Sequence, residues 1–169
     1  MTGLPASGKS TIAILLREKI EKDRKRFVEI LDGDEIRKGL SRDLGMSRED
    51  REEHNRRVAF LAKVLSRNGV ISLVSLISPY KSSRENAREL IGSDRFVEVY
   101  IKVSLATCEK RDPKGLYARA RRGEIKDMTG IQDPYEIPTS PDIMVDTENS
   151  TPEESANLLL RNLEKLGFI

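Results

Sequence analysis

Gly3-Leu4-Pro5-Ala6-Ser7-Gly8-Lys9-Ser10 matches G-x-x-x-x-G-K-[ST] at every fixed position. Gly3 and Gly8 allow backbone conformations that a Cβ resists. The N–H groups of Ala6, Ser7, Gly8, Lys9, Ser10 and Thr11 then converge on phosphate oxygens. The helix that follows adds the positive end of its dipole. Lys9 is the residue to neutralise the β- and γ-phosphates of a nucleotide, and Ser10 the residue to ligate Mg²⁺. A chance Gly-rich turn is the alternative. Against it stands the amphipathic segment Thr11 to Lys25, with Ile12, Leu15, Leu16 and Ile20 on one helical face. One feature cuts the other way. Such a loop follows a buried strand, yet only Met1 and Thr2 precede Gly3. The first strand, usually the central one, is expected to be largely missing, which would leave its neighbours with costly unpaired backbone groups.

Outward from the loop, strand-like and helix-like segments alternate. Phe27 to Leu31 reads as a short apolar strand ending in Asp32-Gly33-Asp34. Ser47 to Asn68 reads as a long helix, opened by the capping pattern Ser47-Arg48-Glu49-Asp50 and stopped at Gly69. Val70 to Ile77 is apolar throughout most of its length, as a strand buried on both faces requires, and Pro79 ends it. Ser82 to Ile91 is a helix, Phe96 to Val103 a strand, and Ser104 to Lys110 one or two helical turns. Asp112 to Pro141 is polar and rich in Gly and Pro, the composition of a mobile lid. Ile143 to Val145 is a last short strand, and Thr151 to Leu166 a closing helix started by Thr151-Pro152-Glu153-Glu154. This order predicts a three-layer α/β fold of the P-loop NTPase kind: a parallel sheet, helices on both faces and a lid. No repeat, linker or low-complexity tract divides residues 1–169, so a single domain is expected.

Composition bounds the function. Apolar residues make up 37% and charged residues 34%, the balance of a globular chain. No apolar run approaches the roughly 20 residues of a membrane span. An N-terminus that reads as a phosphate loop is not a signal peptide. The lone Cys108 has no internal disulfide partner, which fits a reducing, cytoplasmic setting. A net charge of +2 gives no reason to expect a nucleic-acid partner.

The acceptor side is read from Asp32-Gly33-Asp34 and Arg37. A carboxylate at a strand end takes or orients the proton of an attacking hydroxyl, and Arg37 suits an anionic acceptor. Asp at a helix N-terminus is equally explained by capping, Asp32 above all. Here a resemblance becomes specific. Leu31-Asp32-Gly33-Asp34, Gly39-Leu40-Ser41-Arg42-Asp43-Leu44-Gly45, Leu76-Ile77-Ser78-Pro79-Tyr80, Arg111-Asp112-Pro113-Lys114-Gly115-Leu116-Tyr117, Gly123-Glu124-Ile125-Lys126, Thr129-Gly130-Ile131 and Asp133-Pro134-Tyr135-Glu136 resemble, in order and over essentially the whole chain, the blocks of the adenylylsulfate (APS) kinase family. Shikimate, gluconate and nucleoside kinases share the phosphate loop but are not expected to carry these blocks.

The resemblance implies an ATP-dependent kinase of sulfate assimilation, which phosphorylates the 3′-hydroxyl of adenosine 5′-phosphosulfate and is often dimeric. At matched positions it implies Asp34 as the base, Arg37 and Arg51 as phosphosulfate ligands, Asp32, Ile77 and Ser78 in the APS pocket, and Lys114 and Lys126 as lid groups that close on the ligands. Ser78 is counted with Lys9 and Asp34 in the catalytic set, as a contact and not a covalent carrier; a hydroxyl that merely satisfies a strand end is the alternative. The chain departs from the family pattern in three places. Met46 and Met128 stand where the family has the two Phe that sandwich adenine, and they are read as a softer clamp or as lid filling. His54 stands where Asn is usual, and is read either as an APS contact that gains charge at low pH or as a surface histidine. Arg119, Arg121 and Arg122 are lid cations of which one is expected at the transferring phosphoryl group. Two rival readings remain: another small-molecule kinase of this fold, and a non-catalytic nucleotide-binding module.

Overall fold

The computed structural model describes residues 1–24 and 26–169. Seven helices and four strands follow one another, and each expected strand and long helix is present among the described residues. The first helix, α1 (Lys9–Arg24), buries Ile12, Ala13, Leu16 and Ile20; its expected last residue, Lys25, lies outside the described residues. Next come β1 (Val28–Asp32), α2 (Gly33–Lys38), α3 (Arg48–Arg67), β2 (Ile71–Ser75) and α4 (Lys81–Ile91). They are followed by β3 (Val99–Lys102), α5 (Leu105–Arg111), α6 (Leu116–Arg121), β4 (Ile143–Asp146) and α7 (Pro152–Lys165).

The helix starts carry the expected caps. Ser47 Oγ accepts from Asp50 N at 3.1 Å ahead of α3. Ahead of α7, Thr151 Oγ1 accepts from Glu154 N at 3.2 Å while Glu154 Oε2 accepts from Thr151 N at 2.8 Å, which completes a reciprocal box. The sequence reading assigned no span to two of the helices. The α2 helix is a single short stretch nucleated by the Asp32 carboxylate, which accepts from Asp34 N at 3.0 Å. The α6 helix lies inside the lid, where its Leu-Tyr-Ala-Arg-Ala-Arg run buries Tyr117 and Ala120.

β1 and β2 pair in parallel, from Val28 opposite Ile71 to Asp32 opposite Ser75. β3 and β4 pair likewise, from Val99 opposite Ile143 to Lys102 opposite Asp146. Met1–Gly3 sits between the two pairs, at the centre where the first strand was expected to be largely missing. Met1 N donates to Val74 O at 2.7 Å, and Thr2 N donates to Val99 O at 2.8 Å. Ile101 N donates back to Thr2 O at 2.9 Å. The order is therefore β1-β2-(Met1–Gly3)-β3-β4, and the sheet is continuous at the strand ends that carry the loop.

Helices cover both faces. α1 and α7 pack together on one side, with Leu16, Val99, Ile101, Val145 and Leu159 in the main core. α3 and α4 pack on the other, over Leu31, Val58, Ala62 and Leu76. A third cluster of Val103, Cys108, Tyr117, Ala120 and Met128 roots the lid. Among the described residues no helix is long and apolar enough to cross a membrane.

Candidate active site

A cavity of about 860 Å³ opens where β1, β2 and β4 end. The carboxyl ends of parallel strands are where α/β folds place ligands. Its wall contains Ala6, Ser7, Gly8, Lys9, Ser10 and Thr11 on one side, and Asp32, Asp34, Arg37 and Met46 on the other. Arg51, His54, Ile77, Ser78, Lys114, Lys126 and Met128 complete the expected set. Of the phosphate-loop residues expected there, Gly3 alone is not in the wall. A Cβ there would lie 2.8 Å from Ile101 O and 2.9 Å from Ser7 Oγ, so Gly3 serves the close approach of the loop to β3.

The loop itself is a turn with Ala6 at φ +61° and Gly8 at φ +100°. Gly8 therefore adopts the left-handed conformation that glycine accepts without strain. Lys9 is buried, and its ammonium donates to Gly3 O at 2.9 Å, Leu4 O at 2.7 Å and Ser7 Oγ at 3.1 Å. Burial brings its pKa down to about 8.

Asp32 joins the two sides. Its Oδ2 accepts from Ser10 Oγ at 2.6 Å, and its Oδ1 accepts from Asp34 N at 3.0 Å. Capping and a site role coexist in one carboxylate. Asp34 is paired with Lys114 Nζ from the lid, and that hydrogen bond raises the lysine above its ordinary range. Arg37 donates to Gly45 O at 2.9 Å and holds the loop that presents Met46.

Arg51 is buried, and its guanidinium is spent largely on the protein. It donates to Met46 O at 2.9 Å, to Thr129 Oγ1 at 3.0 Å and to Asp127 O at 2.5 Å. Asp133 stands 3.7 Å from its Nε. This side chain ties α3 to the lid. His54, at 4% exposure, is no surface histidine. Burial first, then the charges of Arg37 and Arg57, push its pKa down to about 4. The imidazole is neutral near pH 7, so the charge expected at low pH arrives only well below the ordinary histidine range. Met128 is buried in the lid cluster while Met46 is 52% exposed, so the two methionines share the cavity wall with unequal freedom.

Ser78 adopts φ +43° ahead of Pro79, a conformation unusual for a residue with a Cβ. Arg84 holds this turn by donating to Ser78 O at 2.8 Å and pairing with Glu98 at 2.8 Å. Arg84 is thus a buried strut. The lid arginines fall outside the cavity wall: Arg121 pairs with Glu109, and Arg119 and Arg122 with Glu124. Arg111 does line the cavity.

Residues not singled out from sequence complete the loop side. Tyr117 OH donates to Pro5 O at 3.0 Å, and Thr147 Oγ1 donates to Ser7 O at 3.0 Å. Arg111 donates to the Thr147 carbonyl, and Ser150, Pro152 and Ser155 extend the same wall. The available signal for Thr147 was its place just past a strand end, where α/β folds gather ligand contacts.

A phosphate loop and an acceptor carboxylate in one cavity, beneath a lid carrying lysines, define a small-molecule phosphotransferase of the P-loop class. The model of the family described as adenylylsulphate kinase matches residues 1–146. A probable adenylyl-sulfate kinase of Pyrococcus abyssi is 52% identical over 169 residues, covering 100% of this chain and 95% of the relative. The adenylyl-sulfate kinase of Halothermothrix orenii is 49% identical over 168 residues, covering 99% and 89%. The Mycobacterium tuberculosis APS kinase solved in complex with AMPPNP and APS superposes with a TM-score of 0.92 at 42% identity, covering 96% of this chain and 94% of that one. The chain belongs to the adenylylsulfate kinase family.

Proposed function

We propose that the chain transfers the γ-phosphoryl group of ATP to the 3′-hydroxyl of adenosine 5′-phosphosulfate, giving ADP and 3′-phosphoadenylyl sulfate. The observation that carries this reading is the two-sided use of Asp32. One oxygen takes the Ser10 hydroxyl and the other the Asp34 amide, so donor loop and acceptor carboxylate are held as one hydrogen-bonded unit.

The O3′–phosphorus bond forms as the bond from phosphorus to the β,γ-bridging oxygen breaks, and the electron pair leaves with ADP. The 3′-hydroxyl proton passes to the Asp34 carboxylate. Lys9 exchanges its three loop contacts for phosphate oxygens, which restores the partners of a buried ammonium. Lys114, already on Asp34, bridges the acceptor carboxylate and the phosphoryl oxygens. Ser10 Oγ, Asp32 Oδ2 and, 3.4 Å from Ser10, Ser75 Oγ form a hard-oxygen set of the type Mg²⁺ accepts. An Mg²⁺ ion held by these oxygens would supply charge neutralisation for the β- and γ-phosphates. Arg37 and Arg51 supply positive charge to the phosphosulfate, Lys126 approaches it from the lid, and Met46 and Met128 flank the adenine. Ser78 positions the acceptor by contact; in-line transfer requires only alignment and charge stabilisation.

The test is coupled ADP release with MgATP, with and without adenosine 5′-phosphosulfate. APS-dependent turnover that falls by about 10²–10⁴ in Asp34→Asn, with the KM for ATP unchanged, supports both the reaction and the role of Asp34. Asp34→Asn turning over at the wild-type rate removes Asp34 as the base. No APS dependence in the wild-type chain defeats the reading.

A further inference from the structure

The non-glycine residues with positive φ among those described are Ala6, Ser78, Asp112 and Asp127, and all of them line the cavity of the candidate active site. Asp tolerates this conformation through its short polar side chain, and Ala6 belongs to the phosphate loop. Ser78, at φ +43°, has neither reason. Pro79 follows it, and the residue before a proline is held away from helical backbone. Such a conformation persists only where the surroundings over-determine it.

Here three successive carbonyls are each held by a different part of the chain. Ile77 O accepts from Thr2 Oγ1 at 2.7 Å. Ser78 O accepts from Arg84 Nη1 at 2.8 Å. Pro79 O accepts from Glu136 N at 2.8 Å. Arg84 joins the last two, because its Nη2 donates to Glu136 O at 2.8 Å. Its Nε pairs with Glu98 at 2.8 Å, just ahead of β3.

Arg84 as a whole is 6% exposed. A cation in so dry a place is costly, and an apolar side chain of similar volume often serves stability as well or better. What the guanidinium supplies instead is a planar fork that reaches two carbonyls at once. One of them belongs to the acceptor wall and the other to the lid.

We propose that Arg84 is a positioning residue: it imposes the left-handed turn at Ser78 and so sets the shape of the acceptor wall that Ile77 and Ser78 form, a role that rests on the kinase reading above. Without the fork, Ser78 relaxes toward extended backbone, and its side chain leaves its place in the wall. Because the same guanidinium holds Glu136, the lid and the acceptor wall keep one common anchor.

The experiment compares Ser78→Gly with Ser78→Ala, both of which lack the hydroxyl, each with Arg84 intact and with Arg84→Gln. Glu98 keeps Arg88 at 3.9 Å in the latter pair, so its carboxylate retains a cation. With Arg84 intact, Ser78→Gly has a Tm about 3 °C above that of Ser78→Ala, since glycine takes positive φ without strain. Arg84→Gln abolishes or reverses that difference, because alanine then relaxes while glycine keeps its entropic cost. In kinetics, Arg84→Gln raises the KM for adenosine 5′-phosphosulfate at least about tenfold in the Ser78→Ala chain. In the Ser78→Gly chain, which still visits the turn freely, the rise is under about threefold, and the KM for ATP is unchanged in both. A purely structural strut lowers Tm and the active fraction alike in both chains and leaves the KM for the acceptor where it was.

Ser78→Ala melting at or above Ser78→Gly with Arg84 intact overturns the proposal. So does a Tm difference that Arg84→Gln leaves in place, or an equal change in KM in both chains. Arg84→Lys is the second variant, in case Arg84→Gln does not fold; it keeps a cation beside Glu98 and cannot serve both carbonyls. Absence of APS-dependent turnover in the wild-type chain defeats the kinase reading alone, and the comparison of Tm values still decides whether Arg84 imposes the turn.

Discussion

Replacing Arg51 with Ala separates a lid strut from a mere point charge. Arg51 is 8% exposed, and its guanidinium donates to Met46 O, Thr129 Oγ1 and Asp127 O at 2.9, 3.0 and 2.5 Å. Each hydrogen bond from a charged donor contributes about 1.5 kcal/mol net, and the three together about 4.5 kcal/mol. Water reaching the vacated space re-satisfies part of this, which leaves a loss of about 3–4 kcal/mol. In a domain of 169 residues that corresponds to a fall in Tm of roughly 10 °C. Because the lost contacts fix Met46 and residues 127–129, the KM for adenosine 5′-phosphosulfate rises at least about tenfold while the KM for ATP changes little. Arg51→Lys keeps the charge and loses the planar fork, so it recovers less than half of either effect. Thermal denaturation by circular dichroism and steady-state kinetics with each substrate varied measure these changes. A Tm within 3 °C of wild type for Arg51→Ala, or an Arg51→Lys variant indistinguishable from wild type, refutes the strut.

The remaining predictions concern the histidine and the two methionines. His54 has its pKa pushed from 6.5 to about 4, so between these values the unfolded chain binds the proton and the folded chain does not. Stability from this group is complete above about pH 6.5 and is lost as pH falls toward 4, about 2 kcal/mol of it by pH 5. His54→Gln removes that share, and urea denaturation at pH 7.5 and 5 measures it; identical pH dependence in variant and wild type defeats the assignment. Met46→Phe tightens binding of adenosine 5′-phosphosulfate by about 1 kcal/mol, because an exposed, flexible side chain gives way to a rigid ring. Met128→Phe gains less, since Met128 is already packed in the lid cluster. Calorimetric titration of both variants checks the order, and a larger gain at position 128 reverses the reasoning.

The fold class was legible because its signals are local. A motif of eight residues, period-matched apolar runs and Ser/Thr caps at Ser47 and Thr151 each act within one or two turns of chain. The cavity residues Asp32, Asp34, Ile77, Ser78, Lys114 and Lys126 likewise lie within blocks that resemble the family's in order along the chain. The spans of the α2 and α6 helices went unread for the opposite reason. Each is six residues long, too short to show a period, and each depends on contacts from elsewhere in the chain or on a single carboxylate cap. The lid composition suggested a loop because Gly and Pro mark its ends, while its Tyr117, Ala120 and Met128 anchor is formed by residues spaced too irregularly to read.

The sequence by itself determined the loop, the order of elements and which residue types meet phosphate, since these follow from spacing and backbone preference. Only the tertiary structure decided how charges are shared. It assigned Arg51 to the lid, Arg84 to the Ser78 turn and the three lid arginines to surface carboxylates, and it made His54 a buried neutral group. It also seated Met1 and Thr2 in the centre of the sheet. The physical reason is that burial and hydrogen-bond partners are set by residues distant along the chain, and a desolvated charge takes whichever partner the fold brings within reach.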